Sequence, residues 1–220
     1  MLFSKLFALS RAHLRTGIAL AVLCILGTAG VTRAEEYGYY VAPQFIRCNF
    51  QLDYIDKSLD RFFRVETPAG KFGTASGGFR YDPTTKVFSG FSVRVSAGSL
   101  TTPDKDFTWK LLAPDMFDVN KYEEITLESI RPVTFVNDVA TLEARLVIHG
   151  FAKPLMLTAK LNYVKDSSGS FGFSVRDKTV GLTLRGTLKM EDYQMKMFDD
   201  VGRSLGDQIA FVFDMQGTRQ

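Results

Sequence analysis

Cysteine and histidine are almost absent: among 220 residues there are two of each. One of each pair, Cys24 and His13, falls in the first 34 residues, so the remainder holds only Cys48 and His149. A lone cysteine forms no internal disulfide, and the fold must hold without one. Cys48 reads as a buried thiol, with a thiol that links two copies or does redox work as the alternative. A lone histidine with no cysteine cluster gives no grounds for zinc or iron, so neither a metal nor a cofactor is expected. A Ser-His-Asp device would have to use His149, and no serine stands in a Gly-x-Ser-x-Gly elbow. The glycine-rich run Gly73–Gly78 opens no strand-to-helix phosphate loop, so nucleotide binding is not expected either.

Long apolar runs and a basic surplus are missing as well. Lys5, Arg11 and Arg15 precede an uncharged apolar run, Gly17 to Gly27, which leads to Thr32-Arg33-Ala34. Small residues three and one before a cut after Ala34 make residues 1–34 a secretory signal peptide. The run is shorter than the roughly 20 residues a spanning helix needs, although an uncleaved anchor is the alternative. Leu23 stands before Cys24 where a lipoprotein site would want a small residue, so lipidation is not expected. The chain has 27 Lys+Arg against 24 Asp+Glu. Without Lys5, Arg11, Arg15 and Arg33 the balance is 23 against 24. The basicity belongs to the targeting segment, and no nucleic-acid partner follows from it.

What is present is alternation. From Ala140 to Tyr163, Leu142, Ala144, Leu146 and Ile148 alternate with polar or outward residues, His149 among them. After a turn at Gly150–Pro154, Leu155, Leu157, Ala159, Leu161 and Tyr163 repeat the pattern, with Met156 on the other face. This is an antiparallel hairpin with one apolar side, which places His149 on the exposed side. Further period-two strands carry Phe50, Leu52 and Tyr54; Phe62, Phe63 and Val65; Phe79 and Tyr81; and Phe91, Val93 and Val95. Later ones carry Ile125 and Leu127; Phe171, Phe173 and Val175; Leu182, Leu184 and Leu188; Tyr193, Met195 and Met197; and Ile209, Phe211 and Phe213. Turns are expected at Pro68-Ala69-Gly70 and at Asp82-Pro83-Thr84-Thr85.

Helical signals are few. Thr102-Pro103 starts a short helix with Asp104 and Asp106 in its first turn and Phe107 and Leu111 on one face. A second short helix is expected over Phe198–Leu205, ending at Gly206. Many short strands without helical crossovers predict an all-β antiparallel sandwich or barrel. Of 19 phenylalanines, all but Phe3 and Phe7 lie beyond residue 34, as do six of seven methionines. That apolar stock fills a solid core or lines a cavity for an apolar ligand.

Four ordered segments resemble the YceI-like family of secreted bacterial polyisoprenoid-binding proteins. They are Gly78-Phe79-Arg80-Tyr81-Asp82 with Phe91 to Thr102; Leu111 to Tyr122; Ala144 to Leu157; and Val201 to Ile209. Together they reach from about Cys48 to Met215. Lys189, Gln194 and Glu123 depart from the family pattern, at positions expected near the barrel ends. The resemblance implies an antiparallel lipocalin-like barrel over residues 48–220, after a leader at 35–47. It implies a periplasmic carrier holding a polyisoprenoid or similar long-chain lipid, an isoprenoid quinone included, with no enzymatic activity. By strand parity the lining residues are Phe79, Tyr81, Phe91, Val93, Val95, Ile125, Leu127, Leu146, Ile148, Leu157, Leu161, Phe173, Leu184, Phe211 and Phe213. Met116 and Phe117 would close a mouth. Transient membrane contact and a homodimer are compatible with this reading. The alternatives are an interaction domain with a filled core, and a lipid-modifying enzyme working at a barrel mouth near Asp115, Asp118 and Lys189.

Overall fold

Alternation becomes fourteen antiparallel strands in the computed structural model, which describes residues 36–56, 64–65, 69–166, 178–196, 199–200 and 203–219. The first half holds β1 (Tyr37–Val41), β2 (Ile46–Asp56), β3 (Arg64–Val65), β4 (Ala69–Phe72), β5 (Ala75–Asp82), β6 (Val87–Ser96) and β7 (Leu100–Thr101). The helix α1 (Lys105–Leu112) follows. The second half holds β8 (Glu124–Ser129), β9 (Val133–Thr134), β10 (Val139–Ile148), β11 (Phe151–Asp166), β12 (Lys178–Lys189), β13 (Asp199–Asp200) and β14 (Arg203–Arg219).

Eight staves follow one another in space as they do in the chain. Three are kinked paths made of two strands each: β1 with β2, β4 with β5, and β6 with β7. β8, β10, β11, β12 and β14 are the other five. The ring closes because β14 pairs along most of its length with β2 and then, at Thr218 and Arg219, with β1. It is therefore a closed eight-stave antiparallel barrel, with no open edge between first and last staves. At the kinks, Gly73 N–H donates to the Ser99 carbonyl and Ser96 N–H to the Thr74 carbonyl, both at 3.0 Å, so the backbone stays paired through the bends.

Several expectations need correction. The presumed leader contains β1, which pairs with both β5 and β14 and buries Tyr39 and Val41. Its aromatic run lacked a visible period because Gly38 and the outward Tyr40 carry no polar side chain between the inward residues. Ala69 and Gly70 lie in β4 rather than in a turn. Gly70 is required there because the Phe50 ring lies against it: a Cβ would fall about 2.1 Å from Phe50 Cζ. The described part of 198–205 is extended, with β13 folding back on the start of β14, whose backbone is engaged by β2 from Arg203 onward. The helical turn of that region is a 3-10 turn at Met190–Tyr193, where a strand through Tyr193 and Met195 was expected. α1 starts two residues later than Thr102-Pro103 implies. Asp104 is its cap, accepting from the amides of Asp106 and Phe107 at 2.8 and 3.3 Å. The strand expected around Phe173 lies outside the described residues, as do Phe62, Phe63 and Met197.

The hairpin turn is tighter than Gly150–Pro154. Ile148 pairs with Phe151, so His149 and Gly150 alone form the loop, both with positive φ (53° and 77°). That is the two-residue geometry favoured between twisted strands. Pro154 lies within β11 opposite Arg145, four residues before β12 joins at Thr158. Its missing N–H therefore interrupts no ladder on that side.

Candidate functional site

Inward-facing side chains divide the barrel interior into two regions. At the end formed by β1, the end of β5 and the start of β6, aromatic rings fill the space. Tyr39 stacks on Phe79 at 5.2 Å, Phe88 lies 5.4 Å from Phe79, 6.0 Å from Phe91 and 5.9 Å from Phe135, and Tyr81 meets Phe135 edge-on at 6.2 Å. Gly217 makes room for two of them, since a Cβ there would lie 2.7 Å from Phe79 Cζ.

At the opposite end a cavity of about 40 Å3 remains. Its lining is apolar apart from one thiol. Seven of the residues expected inside or at the mouth line it: Val95, Ile125, Leu146, Ile148, Phe211, Phe213 and Phe117. Cys48, Phe50, Phe72, Leu188 and Ile209 complete the wall. Four of those five share parity with recognised strand residues: Cys48 and Phe50 with Leu52, Leu188 with Leu184, and Ile209 with Phe211. Phe72, at the end of a strand taken for a turn, gave no periodic signal. Phe50, Phe72 and Phe117 form a triangle of rings with centroids 5.5, 5.8 and 6.4 Å apart.

The other expected lining residues are buried without reaching the cavity. Phe79, Tyr81, Phe91, Val93, Leu127, Leu157, Leu161 and Leu184 belong to the packed interior. Met116 is fully buried beside Phe117 where loops cover the cavity end, while Met156 faces outward. Phe173 lies outside the described residues. Burial pushes the Cys48 thiol far up, which leaves it protonated and a poor nucleophile.

Two loop segments cover this end. One follows α1, where Phe117 N–H donates to the Leu111 carbonyl at 3.0 Å. The other is Met190–Lys196, with Met190, Tyr193 and Met195 buried. Burial raises the Tyr193 phenol to about 12, so it stays neutral. The segments meet where Lys196 N–H donates to the Asp115 carbonyl at 2.8 Å.

His149 departs from the outward placement parity implied. It is half-buried, its Nδ1 lies 2.9 Å from the Tyr193 carbonyl oxygen, and its ring meets Tyr122 edge-on at 5.0 Å. A strand's alternation ends where a turn begins, and His149 belongs to the turn. Acid-base groups at this end are dispersed. Asp115 pairs with Lys196 at 3.4 Å and Lys189 with Glu191 at 4.0 Å, each pair on the exposed surface. Among the described residues no three His, Cys, Asp or Glu side chains are grouped to hold a metal ion.

Comparison with known proteins follows from this geometry. The YceI-like domain pattern matches residues 47–217. A UPF0312 protein of Pseudomonas savastanoi pv. phaseolicola is 24% identical over 194 residues, covering 88% of this chain and 93% of its own. A UPF0312 protein of Vibrio cholerae is 23% identical over 146 residues, covering 66% of this chain and 73% of its own. Among solved structures, the Campylobacter jejuni YceI protein superposes with TM-score 0.62 at 19% identity, over 73% of this chain and 90% of that one. A polyisoprenoid binding domain from Saccharophagus degradans superposes with TM-score 0.56 at 12% identity, over 84% and 99%. At these identities the structural likenesses speak for the fold. With the domain pattern spanning most of the barrel, the chain belongs to the YceI-like domain family.

Proposed function

We propose that the protein binds a long, slender apolar chain of the polyisoprenoid class in its barrel, and that it does so as a periplasmic carrier after secretion. The observation that carries this reading is the cavity wall: twelve side chains from staves and the α1 loop converge on a space with no charged or hydrogen-bonding group beyond a protonated thiol. Such a wall selects for slenderness and apolarity, since it offers nothing for a polar ligand to bond. The family relationship and the polyisoprenoid-binding neighbour in Saccharophagus degradans support the same ligand class. The dispersed, exposed ion pairs at the loop-covered end favour binding over catalysis.

Size defines how the chain would be held. A water molecule needs about 10–15 Å3 by a comparable measure, so 40 Å3 admits a few atoms and no more. Loading therefore requires the Phe50–Phe72–Phe117 triangle to turn aside and lend its volume to the ligand. Each buried methylene contributes about 0.8 kcal/mol, so about twenty methylenes exceed even the upper end of an association cost of roughly 4–15 kcal/mol, and about ten exceed its lower half. The small cavity also favours a second reading, an interaction domain with a filled core.

Solvent extraction of the purified protein and mass spectrometry of the extract separates the two. A stoichiometric long-chain isoprenoid, a prenylated quinone included, is the expected result. A lipid-free protein that also fails to take up an apolar fluorophore sinks the carrier reading and leaves the filled core.

A further inference from the structure

The two barrel ends are closed by different materials. Rings on β1, β5 and β6, with Phe135 just after β9, fill one end, and clearing them would mean breaking staves apart. The cavity end is closed by chain that belongs to no ladder: residues 113–118 after α1, and the strap Met190–Lys196. The strap is folded on itself, with Met195 N–H donating to the Met190 carbonyl at 3.1 Å and Gln194 in a left-handed conformation. Among the described residues, three polar contacts tie it to chain other than β12. Lys196 N–H donates to the Asp115 carbonyl, the Lys196 ammonium lies 3.4 Å from Asp115 Oδ1, and His149 meets the Tyr193 carbonyl at 2.9 Å.

We infer that the Met190–Lys196 strap is the gate through which an apolar chain reaches the cavity, and that His149 is the latch that holds it shut. The inference rests on the binding reading above. Met190 follows the cavity residue Leu188 by two positions on the same strand path, so the strap begins where the lining ends. Lifting it breaks three polar contacts and uncovers Met190, Tyr193 and Met195. Opening any stave would break a ladder, ten paired positions in the case of β10 and β11. The strap is the weaker door, and its two methionines adapt readily to a passing chain.

His149 is suited to the latch by its mounting. It sits in the two-residue turn between β10 and β11, next to the cavity residue Ile148, with Tyr122 and Phe151 against its ring. A carbonyl only accepts, so Nδ1 carries the proton in this contact. It does so in the neutral and the charged ring alike, and the latch does not depend on protonation. Gly150 is part of the same mounting, because a Cβ there would lie 2.5 Å from the Tyr122 ring.

The test uses the apolar fluorophore N-phenyl-1-naphthylamine and the full mature chain. His149→Gly keeps the left-handed turn and removes the ring. It should speed both uptake and release about tenfold, the loss of one hydrogen bond, while the equilibrium Kd stays within about threefold. Hydrogen exchange at the Met195 and Lys196 amides should accelerate, while β14 amides keep their protection. A second variant joins the loops covalently: Asp115→Cys with Lys196→Cys, the buried and protonated Cys48 being left in place. The backbone bond between these residues puts them within disulfide reach. Oxidation should block uptake and reduction restore it. Uptake at equal rates in oxidised and reduced protein overturns the gate while the binding reading stands. Unchanged rates and amide exchange in His149→Gly overturn the latch. No uptake in wild type or in the reduced variant, with no lipid extracted, overturns the binding reading and the gate with it.

Discussion

Phenylalanine does opposite work at the two ends of this barrel. Around Phe88, rings borne on β1, β5 and β6 and on the residue after β9 interlock with centroids 5.2–6.2 Å apart. Around Phe117, rings from β2, β4 and a loop meet as a looser triangle beside an apolar hole. Residue type does not separate the two regions. What separates them is the space beside the rings: Phe88 is met by three other rings, whereas Phe50, Phe72 and Phe117 border the cavity, and Phe117 is carried by a loop. The difference explains how one apolar interior can be a rigid plug at one end and an adaptable cavity at the other.

Truncating a ring at each end breaks the comparison most directly. Phe88→Ala should cost about 3–5 kcal/mol in denaturant unfolding, because the three rings around it, Phe79, Phe91 and Phe135, cannot collapse into the gap. Phe72→Ala removes a ring already bordering a void and should cost less, roughly 2–3 kcal/mol. The fluorophore response should diverge further. Phe72→Ala enlarges the cavity and should tighten binding of N-phenyl-1-naphthylamine, while Phe88→Ala should leave it unchanged. Equal stability losses with equal binding would show that the ends do not differ.

The close-packed glycines sharpen the same contrast by adding volume. Gly217→Ala forces a methyl against Phe79 and Tyr39 in the plug and should cost about 1–3 kcal/mol. Gly150→Ala strains a left-handed turn and collides with Tyr122, with a comparable loss of about 1–3 kcal/mol. Thermal unfolding should rank both well above Gly38→Ala, whose Cβ would meet nothing within 4 Å.

Parity made the walls readable in advance and the ends unreadable. Leu146, Ile148, Leu157 and Leu161 point inward as alternation implied, because register in a half-buried sheet is enforced by its apolar face. Barrel closure was not visible locally, since β1 is recognisable as a stave only through its pairing with β14. A helix was expected over Phe198–Leu205, but the described residues 199–200 and 203–205 pair with one another and with β2 as strands. His149 was placed by a rule that stops at the turn. Cys48 was read as a buried thiol, and its parity with Phe50 and Leu52 extends the same inward face one step before the strand that was recognised. The cavity's position depends on which rings meet across the barrel, and that is fixed by contacts distant in sequence.

The smallest expected difference concerns carboxylates at the two ends. Asp82, in the turn beside the plug, accepts the Thr85 hydroxyl at 2.7 Å and the Thr84 and Thr85 amides at 2.8 and 3.3 Å. These bonds, the Thr85 hydroxyl first, hold its carboxyl below the usual aspartate range. A lowered folded-state pKa gives stability that is fully present above the unfolded value near 3.9 and is lost as pH falls through the folded pKa. Asp82→Asn should therefore be less stable than wild type at pH 7, with the gap narrowing below about pH 4 as the wild-type carboxylate is protonated. Asp115, at the gate, holds only an exposed ion pair with Lys196, of a kind worth about 0–1 kcal/mol. Asp115→Asn keeps the backbone carbonyl that receives Lys196 N–H, so its stability at pH 7 should stay within about 1 kcal/mol of wild type. A larger loss at pH 7 for Asp115→Asn than for Asp82→Asn would place the structural carboxylate at the wrong end and undo the division between plug and gate.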